Sequence, residues 1–155
     1  MIDPDDLRRL VIRPILGRME LHSRSAENLL LGTSLAESVV DGDTHLKQIS
    51  GPALGIYQIE PATHDDVWQH FLAFRHPLEL KVKGFLVGHE DKEVQLIWNL
   101  AYQTAIARVI YLRVKERLPE ADDLWSIALY WKTYWNTSAG AGTIEGFLRK
   151  AGAYL

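Results

Sequence analysis

Hydrophobic residues recur at helical spacing along most of the chain. The first such stretch places apolar side chains three or four residues apart, at Leu7, Leu10, Val11, Ile15 and Met19. Asp3 precedes it as a capping residue and Pro4 follows in the first turn, so a helix is predicted to begin there. Pro14 is expected to kink this helix or to end its first part.

Further helices are predicted where apolar periodicity follows a capping residue. Their expected limits are Ser25 to about Ser38, Thr63 to a point before Pro77, Asp91 to about Leu118, Asp122 or Asp123 to Trp135, and a short last helix capped by Thr143. Residues 78–88 remain ambiguous, because Gly84 and Gly88 weaken a long helix.

Residues 39–60 have little helical period and hold Gly42, Gly51, Pro52 and Gly55. We expect a loop there with a short hairpin, long enough to be functional rather than merely connecting. The pattern as a whole predicts a mainly α fold, a single helical domain over residues 1–155, with this glycine-rich loop beside a cleft.

Composition narrows the function classes. Of the 155 residues, 47% are hydrophobic and 24% charged, which is typical of a globular domain. The net charge of −3 argues against a wide basic face for nucleic acid. The chain has no cysteine, which excludes disulfides, thiolate nucleophiles and cysteine-based zinc sites. Six scattered histidines predict no metal site, and no cofactor is expected.

The start of the chain and four of its arginines lead to further expectations. The acidic start, Met1 to Asp6, does not match a secretory signal, and no apolar run is long enough to insert in a membrane. Arg8, Arg9 and Arg13 are predicted to form a solvated helix face. Arg108 lies within the most apolar segment, so it is expected to pair with a carboxylate or to extend its head outward.

Three short blocks carry the chemistry, in the order Ala36-Glu37-Ser38, Gly55-Ile56-Tyr57-Gln58-Ile59 and Pro61-Ala62-Thr63. Their order and spacing resemble the lytic transglycosylase branch of the lysozyme-like superfamily. Members of that branch have a helix ending in Glu-Ser, a Gly-Leu-Met-Gln-type turn and a Pro-[Ala/Ser]-Thr helix start. Here Ile56-Tyr57 replaces the usual Leu-Met.

One further block of the family, an Ala-Tyr-Asn segment followed by glycine and expected later in the chain, has an imperfect counterpart. The stretch from Trp131 to Asn136 fills its place, with Gly140 and Gly142 after it. Trp135 separates Tyr134 from Asn136, a departure from the pattern. Either Tyr134 or Tyr130 could therefore be the tyrosine that meets Glu37.

Cleaving a glycosidic bond requires an acid that keeps its proton near neutral pH. Glu37 ends an apolar helix, where Leu35, Ile56 and Tyr134 are expected to desolvate its carboxyl and raise its pKa. Ser38, Gln58 and Tyr134 are predicted to orient Glu37 or the sugar.

The remaining side chains of the predicted site would bind sugar. Gln58 and Asn136 offer amide groups for hydroxyl and N-acetyl groups. Tyr57, Trp131 and Trp135 are predicted to provide flat faces against which sugars stack.

The resemblance implies a lysozyme-like fold and cleavage of the MurNAc–GlcNAc β-1,4 bond of peptidoglycan. It implies that one glutamate, at Glu37, acts first as acid and then as base and leaves a 1,6-anhydro product. A hydrolase would instead need a second carboxylate, for which Asp41 and Asp43 are candidates. The sequence leaves lyase and hydrolase open.

The expected partner is the glycan strand of peptidoglycan, with no nucleic acid and no membrane insertion. A wall-degrading chain without a signal fits a phage setting, with release through a holin or carriage in the virion. The alternative is a catalytically silent lysozyme-like protein that binds glycan or stands in a phage particle. A helical adaptor between proteins is a third class.

Overall fold

The structure is a computed structural model that describes residues 2–39, 48–137 and 140–155. These residues are mainly helical, which confirms the predicted mainly α class. The helices are α1 (Pro4–Asp6), α2 (Arg13–Met19), α3 (Arg24–Ser38), α4 (Pro61–His70), α5 (His76–Lys83), α6 (Lys92–Trp98), α7 (Leu100–Leu112), α8 (Leu124–Trp131) and α9 (Ile144–Ala151). Strands β1 (Ile49–Ser50) and β2 (Ala53–Leu54) form an antiparallel hairpin.

The first helical segment continues past its proline. The Asp3 carboxylate accepts hydrogen bonds from the backbone N–H groups of Asp5 and Asp6 at 2.9 and 3.1 Å, as expected of a cap. A π-helical stretch, Leu7–Ile12, joins α1 to α2. Pro14 has no N–H for the α-helical bond to the carbonyl of residue 10, and the wider helix lies directly before it.

The long helix predicted from Asp91 is two helices. Asn99 ends α6 and caps α7, since its Oδ1 accepts from the Tyr102 N–H at 3.0 Å. Its amide also donates to the Phe85 carbonyl at 2.8 Å. Asn99 is buried, so the spacing of buried positions gives no sign of the break.

Several predicted helix limits differ from the structure, including the end expected near Leu118, since α7 ends at Leu112. Ser23, not Ser25, caps α3, and its Oγ accepts from the Ala26 N–H at 3.0 Å. Helix α4 begins at Pro61 and ends at His70, so Thr63 is not its cap. The ambiguous segment contains α5, and Pro77 lies in the first turn of that helix rather than after a helix. The Thr143 cap of α9 is confirmed, with its Oγ1 accepting from the Gly146 N–H at 3.0 Å.

Helix α7 lies at the centre of the core, with every residue from Tyr102 to Val109 buried. Helix α3 packs against it and against α9. Gly32 of α3 permits the close approach of α9, because a Cβ at this position would lie 2.2 Å from Cζ of Phe147. No described helix is long and apolar enough to span a bilayer.

An ionic cluster lies under the amino-terminal helices, and it corrects the predicted solvated face at Arg8, whereas Arg9 and Arg13 are exposed as predicted. Arg8 is buried and donates to Asn28 Oδ1 and to the Tyr154 carbonyl, both at 2.6 Å. Glu27 accepts from Arg13 Nε at 2.7 Å. Burial of Glu27 would raise its pKa, but hydrogen bonds from Arg13 and His22 lower it to about 2.

Arg108 also departs from the expectation of a carboxylate partner. Its side chain is buried, and its Nε has no hydrogen-bond partner among the described residues. Burial lowers the pKa of its guanidinium.

Candidate functional site

A cleft of about 730 Å³ opens beside the hairpin. Its walls come from the end of α3, the hairpin, the segment leading into α4, the last turn of the core helix α7 and the segment after α8. The described lining residues are Glu37, Ser50, Ala53, Gln58, Ile59, Glu60, Thr63, Ile110, Tyr134, Trp135, Asn136, Thr137 and Gly140. Segments far apart in the sequence therefore meet around Glu37.

Glu37 lies in the last turn of α3, and its side chain is half-buried. Its Oε1 accepts a hydrogen bond from the indole Nε1–H of Trp131 at 2.8 Å. The Trp131 ring is buried against Phe147, with ring centroids 5.2 Å apart. A rigid indole thus fixes one oxygen of the carboxyl.

Burial raises the pKa of Glu37, because a carboxylate loses hydration in the cleft. Hydrogen bonds from Trp131 and Asn136 and the charges of Lys150 and Lys132 partly counteract that shift by stabilising the ionised form. The net effect keeps the carboxyl protonated to a higher pH than an exposed glutamate. Such a group can act as a proton donor.

Two lysines frame the carboxyl without ion pairing to it directly. The Nζ of Lys150 donates to the Ala36 carbonyl at 3.1 Å. The Nζ of Lys132 donates to Asn136 Oδ1 at 2.8 Å and to the Gly140 carbonyl at 2.9 Å. Lys132 therefore ties the segment after α8 to the chain that follows.

That segment is π-helical from Lys132 to Asn136, and its wider turn places Tyr134, Trp135 and Asn136 along the cleft. Thr137 follows with φ 61° and ψ 171°, a conformation costly for a β-branched residue. Gly140 is confined by close packing, since a Cβ there would lie 2.1 Å from the Asn136 carbonyl oxygen. Such strain is typical of functional sites, where the surrounding structure maintains it.

The second motif block, Gly55 to Ile59, forms a tight turn after the hairpin. Gly55 has φ 73°, and a Cβ there would lie 2.1 Å from the Leu96 carbonyl oxygen, so only glycine fits. The Ile56 N–H donates to Gln103 Oε1 at 2.7 Å. Gln58 has φ 50°, its Nε2 donates to the Gly55 carbonyl at 2.7 Å, and it lines the cleft.

Four of the six predicted site residues meet in this cleft: Glu37, Gln58, Tyr134 and Asn136. Ser38 does not, because it is buried and its Oγ donates to the Ser34 carbonyl within its own helix. Tyr57 does not either. It is fully buried, and its hydroxyl contacts Thr104 Oγ1 at 3.1 Å. The prediction that Tyr57 stacks on sugar is therefore wrong.

Tyr130 and Tyr134, the two candidates for the tyrosine that meets Glu37, differ in their position relative to the cleft. Tyr134 lines the cleft, whereas the hydroxyl of the buried Tyr130 donates to the Glu116 carbonyl at 3.0 Å. Their rings are in contact, with centroids 4.6 Å apart and planes inclined by 60°. Trp131, not a tyrosine, makes the aromatic hydrogen bond to Glu37.

Two contributions escaped the sequence analysis. Trp131 was expected to offer a stacking face, but its ring is buried and its N–H holds Glu37; apolar spacing does not distinguish these roles. Glu60 lines the cleft as a second carboxylate. Its position between the Gln58 turn and the Pro61 helix start is the signal that could have identified it. Asp41 and Asp43 lie outside the described residues.

Within residues 2–39, 48–137 and 140–155, no group of three His, Asp or Glu side chains is arranged to hold a metal ion. Comparisons with protein-family models, with curated proteins and with solved structures find no match to this chain. The function is therefore inferred from the geometry of the cleft and from the motif resemblance.

Proposed function

We propose that the chain is a lysozyme-like domain that acts as a lytic transglycosylase or a muramidase, and that Glu37 cleaves the MurNAc–GlcNAc β-1,4 bond of peptidoglycan in this cleft. The observation that carries the proposal is a half-buried carboxyl with a raised pKa, held at 2.8 Å by a buried indole, among residues of three motif blocks. A solvated helix end would give Glu37 neither the burial nor the partner.

Glu37 supplies the proton that the leaving group needs. Its carboxyl transfers that proton to the glycosidic oxygen as the C1–O bond breaks. Positive charge develops on the sugar ring as the carboxyl becomes a carboxylate, which the Trp131 N–H stabilises. Because Trp131 is locked by packing, this stabilisation needs no rearrangement during the reaction.

The rest of the lining suits a glycan chain. Gln58 and Asn136 present amide groups, Ser50 and Thr63 present hydroxyls, and Trp135 adds an aromatic ring. Sugars are commonly bound by hydrogen bonds to their hydroxyls and by apolar contact with their ring faces. Thr137, whose backbone is strained, also lines the cleft and directly follows the π-helical segment.

The test is release of soluble muropeptides from purified peptidoglycan, measured by mass spectrometry for the wild type and Glu37→Gln. We expect fragments from the wild type and a loss of at least a hundredfold in the variant. Glu145→Gln is the matched control, because Glu145 is an exposed acid in the first turn of α9, away from the cleft lining. Binding without fragments from the wild type would favour the silent glycan-binding alternative.

A further inference from the structure

We propose that Glu60 is a second catalytic carboxylate, which activates water and makes the cleft a hydrolase rather than an anhydro-forming lyase. This inference rests on the proposed function and specifies its reaction. Of the described residues that line the cleft, Glu37 and Glu60 carry carboxyl groups. Their surroundings differ in the way that an acid–base pair requires.

The backbone fixes the position of Glu60 from both sides. Ile59, directly before it, pairs with Leu54 of the hairpin through two backbone hydrogen bonds of 3.0 and 2.9 Å. The Glu60 carbonyl accepts from the His64 N–H at 3.0 Å, the first bond of α4. The pairing with the hairpin on one side and a ten-residue helix on the other thus hold this residue at the cleft.

The Glu60 side chain is not used by the fold. It occupies the N-cap position, where Ser, Thr, Asp and Asn are preferred because their short side chains reach the first N–H groups. The Glu60 side chain makes no cap hydrogen bond, and it forms no ion pair or hydrogen bond with a described residue. An acid with no structural partner, placed where a better cap would stabilise the helix, points to a functional role.

The two acids are matched to opposite tasks. Burial raises the pKa of Glu37, which keeps a proton available, whereas the Glu60 side chain is exposed at the positive end of α4. A carboxylate that faces solvent in the cleft can accept a proton from water. Two carboxyl groups in contrasting environments are the arrangement that divides acid and base work in glycoside hydrolysis.

The proposed reaction balances without another reactant. The Glu37 proton goes to the glycosidic oxygen, and the bond from that oxygen to C1 of MurNAc breaks. The oxygen of a water molecule bonds to C1 as Glu60 takes one of the water protons. The products are a MurNAc with a free reducing end and a GlcNAc with a free 4-hydroxyl. Glu60 then releases its proton to solvent, and Glu37 takes one up.

A one-glutamate lyase would give a different product. The C6 hydroxyl of MurNAc would attack C1, and Glu37 would take its proton, so the fragment would be an anhydro sugar lighter by one water. Glu60 would have no proton to accept in that reaction. The mass of the new end therefore separates the two mechanisms.

The experiment digests purified peptidoglycan in ¹⁸O-labelled water with wild type, Glu60→Gln and Glu145→Gln, and determines the mass of each new end by mass spectrometry. We expect reducing ends that carry ¹⁸O from the wild type and the Glu145 control, with Glu60→Gln slower by a hundredfold or more. Glu60→Ala with sodium azide should yield a glycosyl azide, since azide attacks without a base. Circular dichroism checks that both Glu60 variants fold.

Each other outcome has its own meaning. Anhydro ends from the wild type overturn the role of Glu60 and leave the proposed cleavage in place. Reducing ends from Glu60→Gln at the wild-type rate also overturn that role. If the wild type releases no fragments while it is folded, the proposed function fails, and this inference fails with it.

Discussion

At the scale of single residues, the protonation of Glu37 decides what the cleft can do. The motif resemblance pointed to Glu37, Gln58 and Asn136, and all three line the cleft. It misplaced Tyr57 and Trp131, since an aromatic residue at apolar spacing can face either the core or a cleft. The structure shows that the Trp131 ring packs on Phe147 while its indole N–H donates to Glu37.

Glu37→Gln should stabilise the folded protein at neutral pH. The pKa of Glu37 is higher in the folded state than in the unfolded chain. The free energy of unfolding therefore falls as the pH rises from the pKa of the unfolded chain to that of the folded protein, because the unfolded chain ionises first. A neutral amide removes this cost, with a gain of about 1 kcal/mol, a usual size for relief of a destabilised site. Urea denaturation at pH 7 and pH 4 measures it. The gain should shrink at pH 4, and a Gln variant less stable than wild type at pH 7 would contradict it.

Trp131→Phe should impair catalysis by releasing Glu37. Phenylalanine keeps an aromatic ring against Phe147 but loses the N–H that donates to the carboxylate at 2.8 Å. The pKa of Glu37 should therefore rise, which moves the alkaline limb of the rate–pH profile to higher pH, and the rate should fall about ten- to a hundredfold. Trp125→Phe is the control, because Trp125 is an exposed residue of the same helix. An unshifted limb in Trp131→Phe would remove this positioning role.

At the scale of elements, some helix starts with short polar caps could be predicted from the sequence, whereas the internal break at Asn99 could not. Asp3 and Thr143 cap helices as predicted, because their side chains reach the first N–H groups. Asn99 divides a segment of unbroken apolar periodicity, since its amide is satisfied by the Phe85 carbonyl, distant in sequence. A local pattern cannot reveal a cap that depends on a tertiary contact.

Gly32→Ala and Gly17→Ala should have opposite effects on stability. Alanine favours a helix over glycine by up to about 1 kcal/mol, and Gly17 of α2 has nothing within 4 Å of an added Cβ. At Gly32 the Cβ would lie 2.2 Å from Phe147, so overpacking of about 1–3 kcal/mol should outweigh that gain. Thermal unfolding of both variants tests the pair. Equal stabilisation by both would mean that α9 is not packed closely on α3.

At the scale of the whole molecule, the cleft joins parts of the chain that no local pattern connects. Glu37 is bonded to Trp131, and Lys150 of the last helix donates to the carbonyl of Ala36. The mainly helical class could be predicted because it follows from periodicity. The meeting of these segments could not, because it depends on how α3, α8 and α9 pack together.

The Glu27 cluster should control acid stability. The pKa of Glu27 is about 2 in the folded state, below its ordinary value of 4.5, so its ionisation stabilises the fold above pH 4.5. That contribution, at most roughly 3 kcal/mol, should be lost as the pH falls toward 2. Glu27→Gln should flatten this part of the curve of unfolding free energy against pH, and Glu145→Gln should not. If the free energy of unfolding fell as much in Glu27→Gln as in the wild type over this pH range, other groups would account for the acid stability.

The most direct test of the account joins the titration of Glu37 to turnover. The carboxyl carbon of Glu37 can be followed by ¹³C NMR, assigned by its absence in Glu37→Gln, while cleavage of peptidoglycan is measured over the same pH range. If Glu37 is the proton donor, the rate should decline on the alkaline side at the pH where its carboxyl ionises, above the usual range for glutamate. Cleavage that continues undiminished after Glu37 has ionised would contradict its role as the acid.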